Sequence, residues 1–176
     1  MSERNKNILK DIISYALIIL VVVVIRVFIF DPVRVDGPSM NTTLTNGEIV
    51  ILNKFEYRKK DIKRYDVVVV KVDGKQIIKR VIGLPNEKIE VKDNKVYADG
   101  KKLDNSFASS KTDDFDFEEK MGLKKIPADS YFVMGDNREV SLDSRYKDEV
   151  GTVKKEQIIG KAVFVIWPLN KIRIIK

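Results

Sequence analysis

Apolar positions follow two different rhythms along this chain. From Ile12 to Phe30 only Ser14 and Arg26 interrupt a run of 19 residues, close to the ~20 that a helix needs to cross a hydrocarbon core. Asp31-Pro32 ends that run, because the residue before a proline avoids the α region. Beyond it the runs shorten to strand length. Phe30, Val33 and Val35 alternate with Pro32 and Arg34, which predicts a short strand. Asn46-Gly47 marks a turn, and Glu48 to Asn53 reads as a buried strand. Lys59 to Tyr65 is a charged connection. Asp66 opens Val67 to Val72, a strand apolar on both faces. Asp73-Gly74 predicts a hairpin turn, with Lys75 still in it, and Gln76 to Ile82 returns as the partner strand. Glu87 to Tyr97 reads as a hairpin turning at Asp93-Asn94, with another turn at Asp99-Gly100. Asn105 to Glu119 is polar, a solvated insertion or small side domain. Tyr131 to Met134 and Ala162 to Trp167 close the set of strands. No long amphipathic helix follows residue 30. The expected fold class is mainly β, antiparallel and hairpin-connected, preceded by one N-terminal helix.

The first run reads as a membrane anchor over 12–30. A cleaved leader would have a shorter apolar core followed by small residues, and Phe28 to Pro32 offers none. A core helix is rarely so uniformly apolar, and an interfacial helix needs a polar face. Arg4, Lys6 and Lys10 precede the run, so residues 1–11 are expected in the cytoplasm and the rest beyond the membrane. Arg26 sits near the far end, where it can snorkel to headgroups.

Composition narrows the chemistry. The 176 residues contain neither Cys nor His. Disulfides, thiolate nucleophiles, the usual zinc sites and every imidazole base are excluded. The acidic stretch at 113–119 does not have the spacing of a calcium loop. The net charge of +7 could meet nucleic acid or an anionic bilayer. The lysines are scattered, however, and read as solvated surface.

Two short stretches carry candidate chemistry. In Gly37-Pro38-Ser39 a flexible glycine and a fixed proline hold one hydroxyl on a stiff turn. Most such triplets are ordinary turns. In Ile77-Ile78-Lys79-Arg80-Val81, Lys79 shares a strand face with Ile77 and Val81. Desolvation there would lower its amine pKa; a lysine snorkelling at a sheet rim is the alternative. A serine hydroxyl needs a base, and without histidine a neutral lysine can serve. Ser141, in a loop dense with locally bonding side chains, is a candidate to orient the amine. The Ser39 N–H is available as an oxyanion donor.

Taken in order, these pieces resemble the type I signal peptidases, membrane-bound serine proteases. Ser39-Met40-Asn41-Thr42-Thr43-Leu44 is similar to the family's Ser-Met-x-Pro-Thr-Leu. Tyr65-Asp66-Val67-Val68-Val69 is similar to its Gly-Asp-hydrophobic strand. Lys79 through Pro85 fits its lysine motif, and Gly135-Asp136-Asn137-Arg138 through Ser141, Asp143, Ser144 and Arg145 fits without a gap. The resemblance implies Ser39 as nucleophile, Lys79 as general base and Ser141 as the residue positioning it. Asp143 with Arg145 holds the loop, and Asp136 braces it; Met40 and Gly37 belong to the substrate-facing motif. It also implies the Gram-positive branch, with a catalytic core over 31–85 and 126–176 and a smaller inserted β region over 86–125. Exported preproteins and the phospholipid membrane are the expected partners, with substrates bound as an added β-strand. No cofactor, metal or nucleic acid is expected. Two positions depart from the pattern. Thr42 replaces the family's proline, and Gly37 stands where some members carry a hydroxyl for the oxyanion. A repressor-type autoprotease and a non-catalytic anchored β domain are the rival readings.

Overall fold

The computed structural model describes residues 3–28 and 30–175. The chain opens in helix α1 (Glu3–Phe28), whose described apolar side chains are not covered: Ile12, Leu17 and Ile19 are 58%, 59% and 63% exposed. Among the described residues no helix is long and apolar enough to cross a membrane. The anchor expected over 12–30 runs into residues outside the described set, since side chains 24–30 are not included in it.

The strands that follow are β1 (Phe30–Arg34), β2 (Ile49–Asn53), β3 (Val67–Val72) and β4 (Lys75–Gly83). A one-turn helix, α2 (Glu56–Lys59), precedes the charged connection. Then come β5 (Ile89–Lys92), β6 (Lys95–Ala98), β7 (Lys101–Lys102), β8 (Phe115–Asp116), helix α3 (Phe117–Met121), β9 (Ser130–Met134), β10 (Val153–Lys154), β11 (Ile158–Trp167) and β12 (Arg173–Ile174). An eight-stranded sheet runs β1-β2-β11-β3-β4-β9-β10, with β12 paired to β11; a four-stranded sheet runs β7-β6-β5-β8. Every pairing is antiparallel.

Local chemistry explains the turns. Asp73 and Gly74 both take positive φ (47° and 77°), as a two-residue hairpin loop requires. That places Lys75 on β4 and not in the turn. Asp93 and Asn94 do the same at the β5–β6 hairpin (51° and 61°). Val67 to Val70 are at most 2% exposed, so β3 is covered on both faces, as its continuous apolar run predicts.

The second sheet is not a solvated excursion. Phe115 and Phe117, 6% and 0% exposed, join Ile82, Phe132 and Met134 of the large sheet in one apolar cluster. Their rings lie 5.3 and 5.9 Å from that of Phe132, within the range of favourable aromatic pairs. Asp116 caps α3 by accepting from the Glu119 N–H. The polar segment, read as a solvated insertion or small side domain, thus carries two core side chains.

Gly83 marks the crossing from one sheet to the other. A Cβ there would lie 2.8 Å from Ile89 and 2.9 Å from Phe132, and would also meet Ile126. Phe132 is the centre of that packing. Phe132→Ala should destabilise the fold by about 3–5 kcal/mol, read by urea unfolding in detergent; a loss under about 1 kcal/mol would show that the two sheets do not share this core.

Candidate active site

Ser39 is positioned by its neighbours on both sides. Met40 and Leu44, 1% and 0% exposed, plug into the cluster formed by Val35, Val50, Val67 and Val165. Around those plugs the chain is tied by Asn41 N–H to Pro38 O (3.0 Å) and Leu44 N–H to Met40 O (2.8 Å). Gly37 has φ +85° with nothing close to where a Cβ would stand, and its N–H donates to Asn46 Oδ1 at 3.0 Å. Arg173 reaches from β12 to donate to Thr43 O (2.7 Å), and also grips the carboxylate of Glu48 (2.8 and 3.0 Å). The result is a turn that presents Ser39 while burying the residue after it.

Lys79 Nζ donates to Ser39 Oγ at 2.7 Å. Lys79 is 3% exposed. Removal from water pulls its amine down to about 8, against the Asp143 carboxylate, with Arg145 adding to the lowering and Asp136 opposing it. That depression amounts to about 3 kcal/mol against the charged form. At pH 7 about a tenth of the amine is therefore uncharged, the form that proton transfer from a hydroxyl requires.

The loop after β9 supplies the frame. Asp136 is fully buried and accepts from Arg80 through two nitrogens (2.9 and 2.7 Å) and from Thr43 Oγ1 (2.5 Å). Asp143 accepts from the Gly135 N–H (3.0 Å) and from Arg145 Nε and Nη2 (2.8 and 3.0 Å). Gly135 has no room for a Cβ, which would overlap the Ser141 side chain and lie 2.6 Å from Ser39 O. Asn137 N–H donates to Ser39 O at 3.0 Å, so this loop and the serine turn are stitched together. Ser141 is 2% exposed, and its Oγ has no hydrogen-bond partner among the described residues. It lies against Gly135 and is not bonded to Lys79.

Several further contributors carry a weak sequence signal or none. Arg80 also donates to Tyr65 O (2.9 Å) and lies over the Phe107 ring at 4.5 Å. Arg138, 1% exposed, donates to Gly135 O, Thr112 Oγ1 and Asn105 Oδ1. Ser109 donates to Asn41 O (2.5 Å) through its hydroxyl and to Asp136 O (2.9 Å) through its N–H. Residues 105–112 of the polar insertion therefore strap the serine turn to the loop after β9. Only Arg80 and Arg138 could have been suspected, as arginines inside apolar or glycine-rich motifs.

A groove of about 540 Å³ opens beside Ser39 and Lys79, between β1 and the first half of β4. Both walls are free strand edges among the described residues. β1 pairs only with β2, and the pairing of β4 with β9 begins at Arg80. The Ser39 N–H makes no hydrogen bond among the described residues. No cluster of ligating side chains able to hold a metal occurs among the described residues.

Comparison with known proteins agrees with this geometry. Residues 8–167 match the family described as "Signal peptidase, peptidase S26". The chain is 39% identical over 183 residues to "Signal peptidase I S" of Bacillus subtilis (strain 168), covering 98% of each chain. It is 34% identical over 188 residues to "Signal peptidase IB" of Staphylococcus aureus (strain COL), covering 96% and 94%. The crystal structure of a signal peptidase I from Enterococcus faecalis V583 superposes with a TM-score of 0.53 at 34% identity, over 58% of this chain and 97% of that one. Likeness of this extent, from the first helix to the last long strand, goes beyond shared motifs: the chain belongs to the type I signal peptidases of peptidase family S26, and is a serine protease of the Gram-positive kind.

Proposed function

We propose that this chain is a membrane-anchored endopeptidase that removes signal peptides from exported preproteins after small-x-small sites. The observation that carries the reading is the 2.7 Å bond between Lys79 Nζ and Ser39 Oγ at a buried amine. Ser39 attacks the scissile carbonyl while Lys79 takes its proton. The Ser39 N–H supports the oxyanion, and Gly37 adds no hydroxyl to it. Lys79 then gives the proton to the leaving amine, and water releases the acyl group by the same route. Asp136, Asp143 and Arg145 hold the loop, and Ser141 lies behind Gly135 in that frame.

The substrate lies in the groove as an added strand between the edges of β1 and β4. Val33 and Ile78, which line the groove and pack on the cluster that contains buried Met40, give shallow walls that suit small side chains at the first and third positions before the bond. Residues 86–125 form the inserted β region, and 31–85 with 126–176 form the catalytic core. The uncovered apolar face of α1 supports its role as the anchor, since so many exposed Ile, Leu and Val side chains have no business in water. Residues 1–11 would then be cytoplasmic and the catalytic core would lie at the outer surface.

Ser39→Ala and Lys79→Ala should each lower cleavage of a preprotein in detergent by at least about a thousandfold; substantial activity in Lys79→Ala would reject this mechanism. Because the amine must be neutral and titrates near 8, kcat/KM should rise about tenfold per pH unit between 6 and 7 and level off above about 8. A flat profile would mean that another group is the base. Asp136→Ala removes the carboxylate that accepts from Arg80 through two nitrogens and should cost about 3–5 kcal/mol of stability, with Arg80→Met/Asp136→Leu recovering much of it; equal losses in the single and double variants would deny the pair its structural role. The full chain should stay with carbonate-washed membranes, and its release would remove the anchor.

A further inference from the structure

Asn137 reaches two consecutive carbonyls of the serine turn. Its N–H donates to Ser39 O at 3.0 Å, and its side-chain Nδ2 donates to Pro38 O at 3.3 Å. Pro38 O also accepts from the Asn41 N–H at 3.0 Å, so both of its lone pairs are engaged. The Pro38 carbonyl and the Ser39 N–H belong to one peptide unit. That unit is trans and planar, so its N–H points away from its carbonyl. Two donors that fix Pro38 O therefore fix the direction of the Ser39 N–H.

The Asn137 side chain is itself held from the inserted β region. Ser110 Oγ accepts from the Glu139 N–H at 3.1 Å and donates to Asn137 Oδ1 at 3.0 Å. With its oxygen engaged by that hydroxyl, the amide turns its nitrogen to Pro38. The row from Glu139 N–H through Ser110, Asn137 and Pro38 O to the Ser39 N–H runs donor to acceptor without a break, and bonds in such a row polarise one another. No bond in it involves Lys79 or Asp143.

We propose that Ser110 and Asn137 are positioning residues for the oxyanion: Ser110 orients Asn137, and Asn137 aims and polarises the Ser39 N–H. The proposal rests on the peptidase reading above. The inserted region then serves the reaction as well as the fold. An N–H fixed in advance stabilises the charge that develops on the scissile oxygen without first having to reorient. With Pro38 O held by Asn41 alone, the peptide plane can rock and part of that stabilisation goes. The oxyanion develops only on the way to the tetrahedral intermediate, so the loss falls on kcat and spares KM.

The test uses the full chain in detergent and a peptide with Ala at the first and third positions before the bond. Val and Thr have the same shape and differ by the hydroxyl; Leu is close to Asn in size and donates nothing. Ser110→Val should lower kcat about fivefold and Asn137→Leu about thirtyfold, both less than the loss of a whole oxyanion donor. KM should stay within about twofold, and the pH inflection should stay near 8, because Lys79 is untouched. Ser110→Thr should keep kcat within about twofold of the parent. Ser110→Val/Asn137→Leu should be no slower than Asn137→Leu, because Ser110 acts through Asn137. Unchanged kcat in Ser110→Val and Asn137→Leu, equal losses in Ser110→Val and Ser110→Thr, additive losses in the double variant, or a moved KM or pH inflection would each overturn the proposal and leave the peptidase intact. If Asn137→Leu does not fold, Ser110→Val against Ser110→Thr decides. If the parent cleaves no faster than Ser39→Ala, the peptidase reading fails and the proposal falls with it.

Discussion

The geometry of the site depends on the buried pair between Arg80 and Asp136, 1% and 0% exposed. Arg80 follows Lys79 on β4, so whatever fixes the guanidinium fixes the strand that carries the amine. Asp136 also accepts from Thr43, four residues beyond Ser39. One carboxylate therefore ties the lysine strand, the serine turn and the loop after β9 to a common point. A buried ion pair seldom adds net stability over an apolar replacement. Its use here is positional: it allows few alternative placements for either partner.

That frame has to hold the amine in an environment it disfavours. Lys79 is kept from water by the sheet, at about 3 kcal/mol against its charged form. Asp143 lies close enough to pull in the other direction, but its charge is shared with Arg145 and the Gly135 N–H. The loop thus holds a carboxylate near the lysine and largely occupies it with other donors. Burial wins, and the amine titrates near the working range of a general base.

Much of this arrangement is legible in the residues. The hairpins at Asp73-Gly74 and Asp93-Asn94 follow from turn chemistry, and β3 follows from its valines. The absence of histidine and the apolar face on which Lys79 sits make a pairing of Ser39 with Lys79 conceivable, and the motif resemblance selects it over a lysine at the sheet rim. The reach of the polar insertion is not legible. Nothing in Asn105 to Thr112 announces that Ser109 bonds Asn41 O or that Thr112 receives Arg138, because such contacts join segments 26 to 68 residues apart. Phe115 and Phe117 read as isolated aromatics among acids until Phe132 is brought beside them. α3 is too short for a helical period to declare itself. Ser141 lies in the expected loop, yet its hydroxyl faces no partner among the described residues, a detail that no motif encodes.

The position of β11 has a consequence for how the molecule comes into being. Ser39 lies between β1 and β2, Lys79 lies on β4, and β11 is inserted between β2 and β3. The strand that joins the two halves follows both of them in the chain, and Arg173, 130 residues beyond Thr43, adds its clasp from further along still. Before β11 pairs, the ribbon that carries the nucleophile and the ribbon that carries its base share no strand ladder. A site of this design is complete only once a strand distant in sequence is laid between its two halves.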